Sequence, residues 1–159
     1  MAFKQGTNDP ERINGTMNAD TLIGGGGDDS LNGIGGRDTL QGGNGNAFLN
    51  GGIDNDFLQG ENGDDVLLGG LGDDSLDGGN NNDLLRGQRG DDTLTGGAGN
   101  DSFLGAREHG SQDGGTGRDI LRGGDGRDTL NGGNQFDTLL GGEGDDSLFG
   151  GGGNDILNG

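Results

Sequence analysis

Glycine stands at every ninth position from Gly6 through Gly15 and Gly24 to Gly150 and Gly159, eighteen occurrences without a slip. With 44 Gly in 159 residues, chance produces such a run with a probability on the order of 10⁻¹⁰, so the chain is a true tandem repeat. A tail of residues 1–5 precedes seventeen nonapeptides filling 6–158, and Gly159 stands where another repeat would begin. Counting that Gly as position 1, position 6 is Asp in fourteen repeats: Asp20, Asp29, Asp38, Asp56, Asp65, Asp74, Asp83, Asp92, Asp101, Asp119, Asp128, Asp137, Asp146 and Asp155. Position 8 is apolar in sixteen, as Ile13, fourteen Leu from Leu22 to Leu157, and Phe103; only Gln112 departs. Position 4 is Gly in eleven repeats and Asp9, Asn18, Asp54 or Asn81 in four more, the residue types that tolerate positive φ. The unit therefore reads as a six-residue Gly-rich turn closing on an Asp, then a three-residue strand whose middle side chain is buried. A period of nine excludes helix, and with one Pro in the chain it excludes collagen as well.

Only 25% of the chain is hydrophobic, and 28 acidic residues against 9 basic ones leave a formal net charge of -19. Such a balance lacks the apolar surface to offset the entropy of ordering, so the chain needs a further source of folding energy. The same charge repels nucleic acid and anionic lipid and attracts cations, a divalent metal above all. With no Cys, disulfides and thiolate metal sites are excluded. The N-terminus MAFKQGTND has no apolar signal core, and no run approaches a membrane span.

Gly96-Gly97-Ala98-Gly99-Asn100-Asp101, Gly123-Gly124-Asp125-Gly126-Arg127-Asp128 and Gly150-Gly151-Gly152-Gly153-Asn154-Asp155 fit G-G-x-G-x-D-x-U-x in full. The chain thus resembles the repeat-in-toxin (RTX) family of calcium-binding nonapeptide repeats over about nine-tenths of its length. The resemblance implies an all-β fold, a right-handed parallel β-roll (β-solenoid) with two nonapeptides in each 18-residue turn. At roughly 4.8 Å per stacked strand the roll would be about 40 Å long. It further implies calcium between stacked turns, held by position 6 carboxylates of both turns, carbonyls at positions 2 and 4 of one, and carbonyls at positions 1 and 3 of the next. Carried onto this chain, one site takes Gly97, Gly99 and Asp101 with Gly114, Thr116 and Asp119. The same offsets assign Gly115 and Gly117 with Gly132 and Asn134, Gly124 and Gly126 with Gly141 and Glu143, and Gly70 and Gly72 beside Asp74. An all-oxygen set of this size suits calcium better than magnesium.

Two ladders of position 6 result. One runs from Asp20 to Asp146 with a gap at Gly110, and the other runs from Glu11 to Asp155 with a gap at Ala47. Adjacent Asp pairs number five on the first (20/38, 38/56, 56/74, 74/92, 128/146) and five on the second (65/83, 83/101, 101/119, 119/137, 137/155), ten sites in all. Ten divalent ions bring 20 positive charges against -19, so folding on calcium is expected.

The repeat Gly105 to Asp113, GAREHGSQD, lacks Gly at position 4, Asp at 6 and an apolar 8, and holds the only His, His109. It reads as a decayed repeat bulging locally rather than a transition-metal site, since a lone imidazole makes a poor site. No nucleophile, base and orienter stand out from the periodic background, so the chain is not expected to be an enzyme. The outward positions differ between the two faces. One carries Thr21, Thr39, Phe57, Ser75, Thr93, Ser111, Thr129 and Ser147, a hydroxyl row that sustains an alternative reading as an ice- or polysaccharide-binding solenoid. The other carries Phe48, Val66, Leu84, Ile120 and Ile156 with Leu68, Leu104 and Leu140, an apolar stripe suited to a protein partner or self-association. The resemblance also implies secretion through a type I system and an extracellular location, with folding where calcium is abundant. The chain stops at Gly159, mid-pattern, without the non-repetitive C-terminal segment the resemblance implies, as an excised part of a larger protein or a small stand-alone roll would.

Overall fold

The computed structural model describes every residue except 106 and 107. Each repeat contributes one parallel strand, and successive strands alternate between two sheets. The first sheet holds, in spatial order, β1 (Phe3–Gln5), β3 (Thr21–Gly26), β5 (Thr39–Asn44), β7 (Phe57–Asn62), β9 (Ser75–Asn80), β11 (Thr93–Ala98), β13 (Ser111–Thr116), β15 (Thr129–Asn134) and β17 (Ser147–Gly152). The second holds β2 (Arg12–Asn14), β4 (Ser30–Asn32), β6 (Phe48–Ile53), β8 (Val66–Leu71), β10 (Leu84–Arg89), β12 (Ser102–Leu104), β14 (Ile120–Asp125), β16 (Thr138–Glu143) and β18 (Ile156–Asn158). Partners lie 18 residues apart throughout, as in Thr21 opposite Thr39 and Leu84 opposite Ser102. This is a parallel β-solenoid of about nine turns with 18 residues per turn, the architecture of an RTX β-roll. The ladder begins ahead of Gly6, because Phe3–Gln5 pairs with Thr21, Leu22 and Ile23.

Two differences from the sequence reading concern the turn. Most strands run six residues rather than three, continuing through positions 1 to 3, so the corner proper is only positions 4 to 6. The reason lies at position 1. A methyl group placed on Gly24 would lie 2.5 Å from the Gly42 carbonyl oxygen and 2.4 Å from Asp29 Oδ2. Only a residue without a side chain lets adjacent coils close to strand-pairing distance there, and the ladder then continues across it. Positive φ also occurs at position 2, not only at position 4. Ile34, at position 2, adopts φ 87, a strained conformation for a β-branched residue.

The core is a single file of position 8 side chains. Leu22, Leu31, Leu40, Leu49, Leu58, Leu67, Leu85, Phe103, Leu121, Leu130 and Leu139 are fully buried, stacked coil on coil between the sheets. Gln112 takes its place in the same file and is 2% exposed. So thin a core leaves the corners to supply what a larger domain obtains from packing.

Candidate metal centre

Position 6 closes each corner, and its Asp side chain turns inward. Asp20, Asp29, Asp38, Asp56, Asp65, Asp74, Asp83, Asp92, Asp101, Asp119, Asp128 and Asp137 are all buried. One carboxylate oxygen has a fixed task. Oδ1 of each Asp accepts the backbone N–H of position 6 one coil earlier, as from Asp20 to Asp38 (2.7 Å), Asp83 to Asp101 (2.8 Å) and Asp137 to Asp155 (3.1 Å). The other oxygen has none. Oδ2 of Asp29, Asp38, Asp56, Asp65, Asp74, Asp83, Asp92, Asp101, Asp119, Asp128, Asp137 and Asp146 is buried without a hydrogen-bond partner. Among the described residues the one close ion pair joins the Met1 amino group to Asp20 at 3.7 Å, so no protein cation answers these oxygens.

The electrostatic consequence is direct. Burial pushes Asp83 up to about 8, reinforced by the neighbouring Asp101 and Asp65 charges and only partly offset by the Asp65 N–H. Burial likewise raises Asp56 and Asp74 to about 7, and Asp38, Asp65, Asp92, Asp101 and Asp119 to about 6. A buried anion without a counter-charge is among the costliest groups a fold can carry. Among the described residues no three Asp, Glu or His side chains converge on one point, so a cation between coils must complete its shell from the backbone. The position 3 carbonyls assigned to calcium each accept one position 4 N–H: Thr116 from Gly99 (2.8 Å), Asn134 from Gly117 (3.3 Å) and Glu143 from Gly126 (2.8 Å). A carbonyl has a second lone pair, so each keeps one to offer. Carboxylate and carbonyl oxygens without nitrogen or sulfur fit a hard cation that accepts six to eight ligands.

Not every corner is alike. Asp20 Oδ2 already accepts the Thr16 N–H (2.7 Å) and hydroxyl (2.8 Å), and Glu11 is bonded in the same way by Thr7. Eight adjacent Asp pairs therefore carry an unpartnered buried oxygen on both members, while 20/38 and 137/155 carry it on one. Ala47 and Gly110 each supply only a backbone N–H, to Asp65 (2.6 Å) and Asp128 (2.7 Å).

A second ladder escaped the sequence reading. Position 5 side chains accept the N–H of position 5 one coil later, opposite in sense to the Asp ladder: Asn46 N–H to Asp28, Asp64 to Asn46, Asn82 to Asp64, and Asn100 to Asn82, all at 2.8 to 3.0 Å. His109 is a rung of the same kind, donating to Asp91 (3.1 Å) and accepting the Arg127 N–H at Nδ1 (2.8 Å). Around it β13 keeps its register with β11 and β15, while Ala106 and Arg107 of this repeat lie outside the described residues. The signal was present as Asp or Asn at position 5 in ten of seventeen repeats.

The outer faces separate as the alternation requires. The hydroxyl row lines up across the first sheet and is interrupted by Phe57, 40% exposed. On the second sheet Phe48, Val66 and Leu84 stand side by side, with Leu68 next to Asn50 and Arg86. Ile53 and Leu71, paired at position 3 of the same strands and each 45% exposed, form a further exposed apolar pair that the sequence reading did not name. Ser102 separates it from Ile120, while Leu104, Leu140 and Ile156 stand further along the same sheet.

The fold and its carboxylate ladders define a metal-binding β-solenoid. The chain matches the RTX calcium-binding nonapeptide repeat (4 copies) over residues 5–40, 14–49, 41–76, 77–109, 113–139 and 131–159, and it belongs to that family. Calcium is accordingly the ion its repeats bind. No curated protein matches the chain. No helix among the described residues is long and apolar enough to cross a membrane.

Proposed function

We propose that the chain is a structural and interaction module, not a catalyst, that orders itself by binding about ten calcium ions between stacked corners. Asp20, Asp38, Asp56, Asp74, Asp92, Asp128 and Asp146 serve one edge, and Asp65, Asp83, Asp101, Asp119, Asp137 and Asp155 the other. Asp29, between Glu11 and Ala47, has no Asp neighbour in its ladder. The observation that carries the reading is the set of twelve buried carboxylate oxygens without a partner. Each demands positive charge, and the backbone carbonyls around it offer the remaining ligands. Eight sites are tight, and those at 20/38 and 137/155 are weaker because one carboxylate of each pair is otherwise engaged or less enclosed. Metal-binding energy is then folding energy, as befits a chain of net charge -19. The module serves a secreted protein that meets calcium outside the cell, where extracellular modules work with dissociation constants of about 10⁻⁴ to 10⁻³ M.

The test is far-UV circular dichroism with and without calcium, coupled to a bound-metal count. A coil-to-strand change with a count near ten is expected. Sheet content and compactness unchanged after chelation would remove the reading. The patch of Phe48, Val66, Leu68 and Leu84 gives the loaded module a docking surface. Leu84→Lys is expected to weaken self-association in sedimentation runs at high concentration; a loaded chain that is monomeric there discards self-docking.

A further inference from the structure

Over the position 1 glycine of each repeat that closes on Asp, the same small space is filled by the same atom, that Asp's Oδ2. A methyl group on Gly96, Gly114 or Gly123 would lie 2.4, 2.6 or 2.5 Å from Oδ2 of Asp101, Asp119 or Asp128, the Asp that closes that repeat. At Gly105 the atom in that place is Gln112 Nε2, at 2.6 Å. Gln112 stands at position 8, in the core file, and its amide occupies the space over Gly105 that a position 6 Asp, absent here at Gly110, fills in the intact repeats. Its Nε2 donates to the Arg122 carbonyl at 2.8 Å, an oxygen that also accepts the Gly105 N–H at 2.7 Å. Its Oε1 is buried and has no partner. The missing carboxylate and the polar core residue thus meet over one glycine, where the amide nitrogen takes the carboxylate oxygen's place.

We propose that Gln112 is a specificity-determining residue that closes this corner to calcium. The inference rests on the calcium reading above. Intact corners aim a carboxylate oxygen into the space, which attracts a cation. This corner aims an N–H donor into it, which repels one and is satisfied by a carbonyl instead. The first-edge ladder is divided as a result into one run from Asp20 to Asp92 and a separate pair, Asp128 and Asp146. Two departures that look like decay, Gly110 and Gln112, hold a coil in register with no metal at that edge.

Restoring the carboxylate alone should therefore fail. Gly110 lacks a left-handed φ, and a methyl group there meets nothing closer than Asp128 Oδ1 at 3.2 Å, so Asp fits. With Gln112 in place, however, the new carboxylate finds its space taken by the amide and bonds to it. Bound calcium is to be counted by equilibrium dialysis for the full chain, Gly110→Asp, Gln112→Leu and the double variant, with strand content followed by circular dichroism. Neither single variant is expected to gain ions, whereas the double variant gains two, one on each side of residue 110. If the double variant does not fold, Gly110→Asp with Gln112→Ala makes the same measurement. A gain of two ions by Gly110→Asp alone overturns the proposal, as does a folded double variant with no gain. An unmodified chain that binds no calcium overturns the calcium reading, and this proposal with it; a normal count there with no gain in the double variant sinks this proposal alone.

Discussion

At the scale of the residue, one carboxylate does two incompatible things. Asp83 Oδ1 accepts the Asp65 N–H at 2.8 Å, a bond that favours the charged form, while burial of the unpartnered Oδ2 opposes it strongly enough to raise the group to about 8. A divalent ion resolves the conflict and an amide avoids it. Asp83→Asn should consequently reverse sign with conditions. In saturating calcium the variant loses the two ions shared with Asp65 and Asp101 and melts several degrees lower. In chelator it keeps at least as much strand signal as the parent, because a buried charge has gone. Thermal melts and a metal count in both buffers check this. Loss of strand signal in chelator as well would mean that the carboxylate is needed for its hydrogen bond rather than for a cation.

At the scale of the element, each coil is tied to its neighbours by two opposed side-chain ladders. Position 6 reaches back one coil and position 5 reaches forward one. Asn82→Ala removes the acceptor of the Asn100 N–H and should cost about 1 kcal/mol, since that donor turns to water. The calcium count should stay unchanged, and calorimetry with metal analysis reads both. The inward elements were legible in sequence because period nine admits one inward residue per strand, and Leu22 to Leu139 obey it. Asp at position 6 was legible for the same reason. Position 5 was not, because an Asn or Asp in a Gly-rich corner reads equally well as turn chemistry. Strand length was not legible either: Gly24 and its equivalents suggest a turn by composition, yet the space between coils, which no single repeat reveals, requires them inside the ladder. Gln112 was visible as a departure, but its destination over Gly105 depends on a fold-level contact.

At the scale of the whole molecule, the raised carboxylates set how the fold responds to acid. An Asp raised from its ordinary value of 3.8 to between about 6 and about 8 binds protons more tightly folded than unfolded. The metal-free fold is therefore most favoured below about 4, and it loses that support as pH rises through 6 to 8. Calcium reverses the trend, because it competes with protons for the same oxygens. Circular dichroism in chelator should show strand signal growing as pH falls from 8 to 4, and bound calcium should decline over the same range. Strand signal in chelator independent of pH would contradict the buried-carboxylate account. The parallel ladder has one further consequence. Every backbone hydrogen bond between coils points along the roll, so tension applied end to end loads the coil junctions in series, each bearing the full force. Such a rod yields at its weakest link, and that link is a junction beside Ala47 or Gly110, where a corner lacks its carboxylate, rather than the stretch from Asp56 to Asp92.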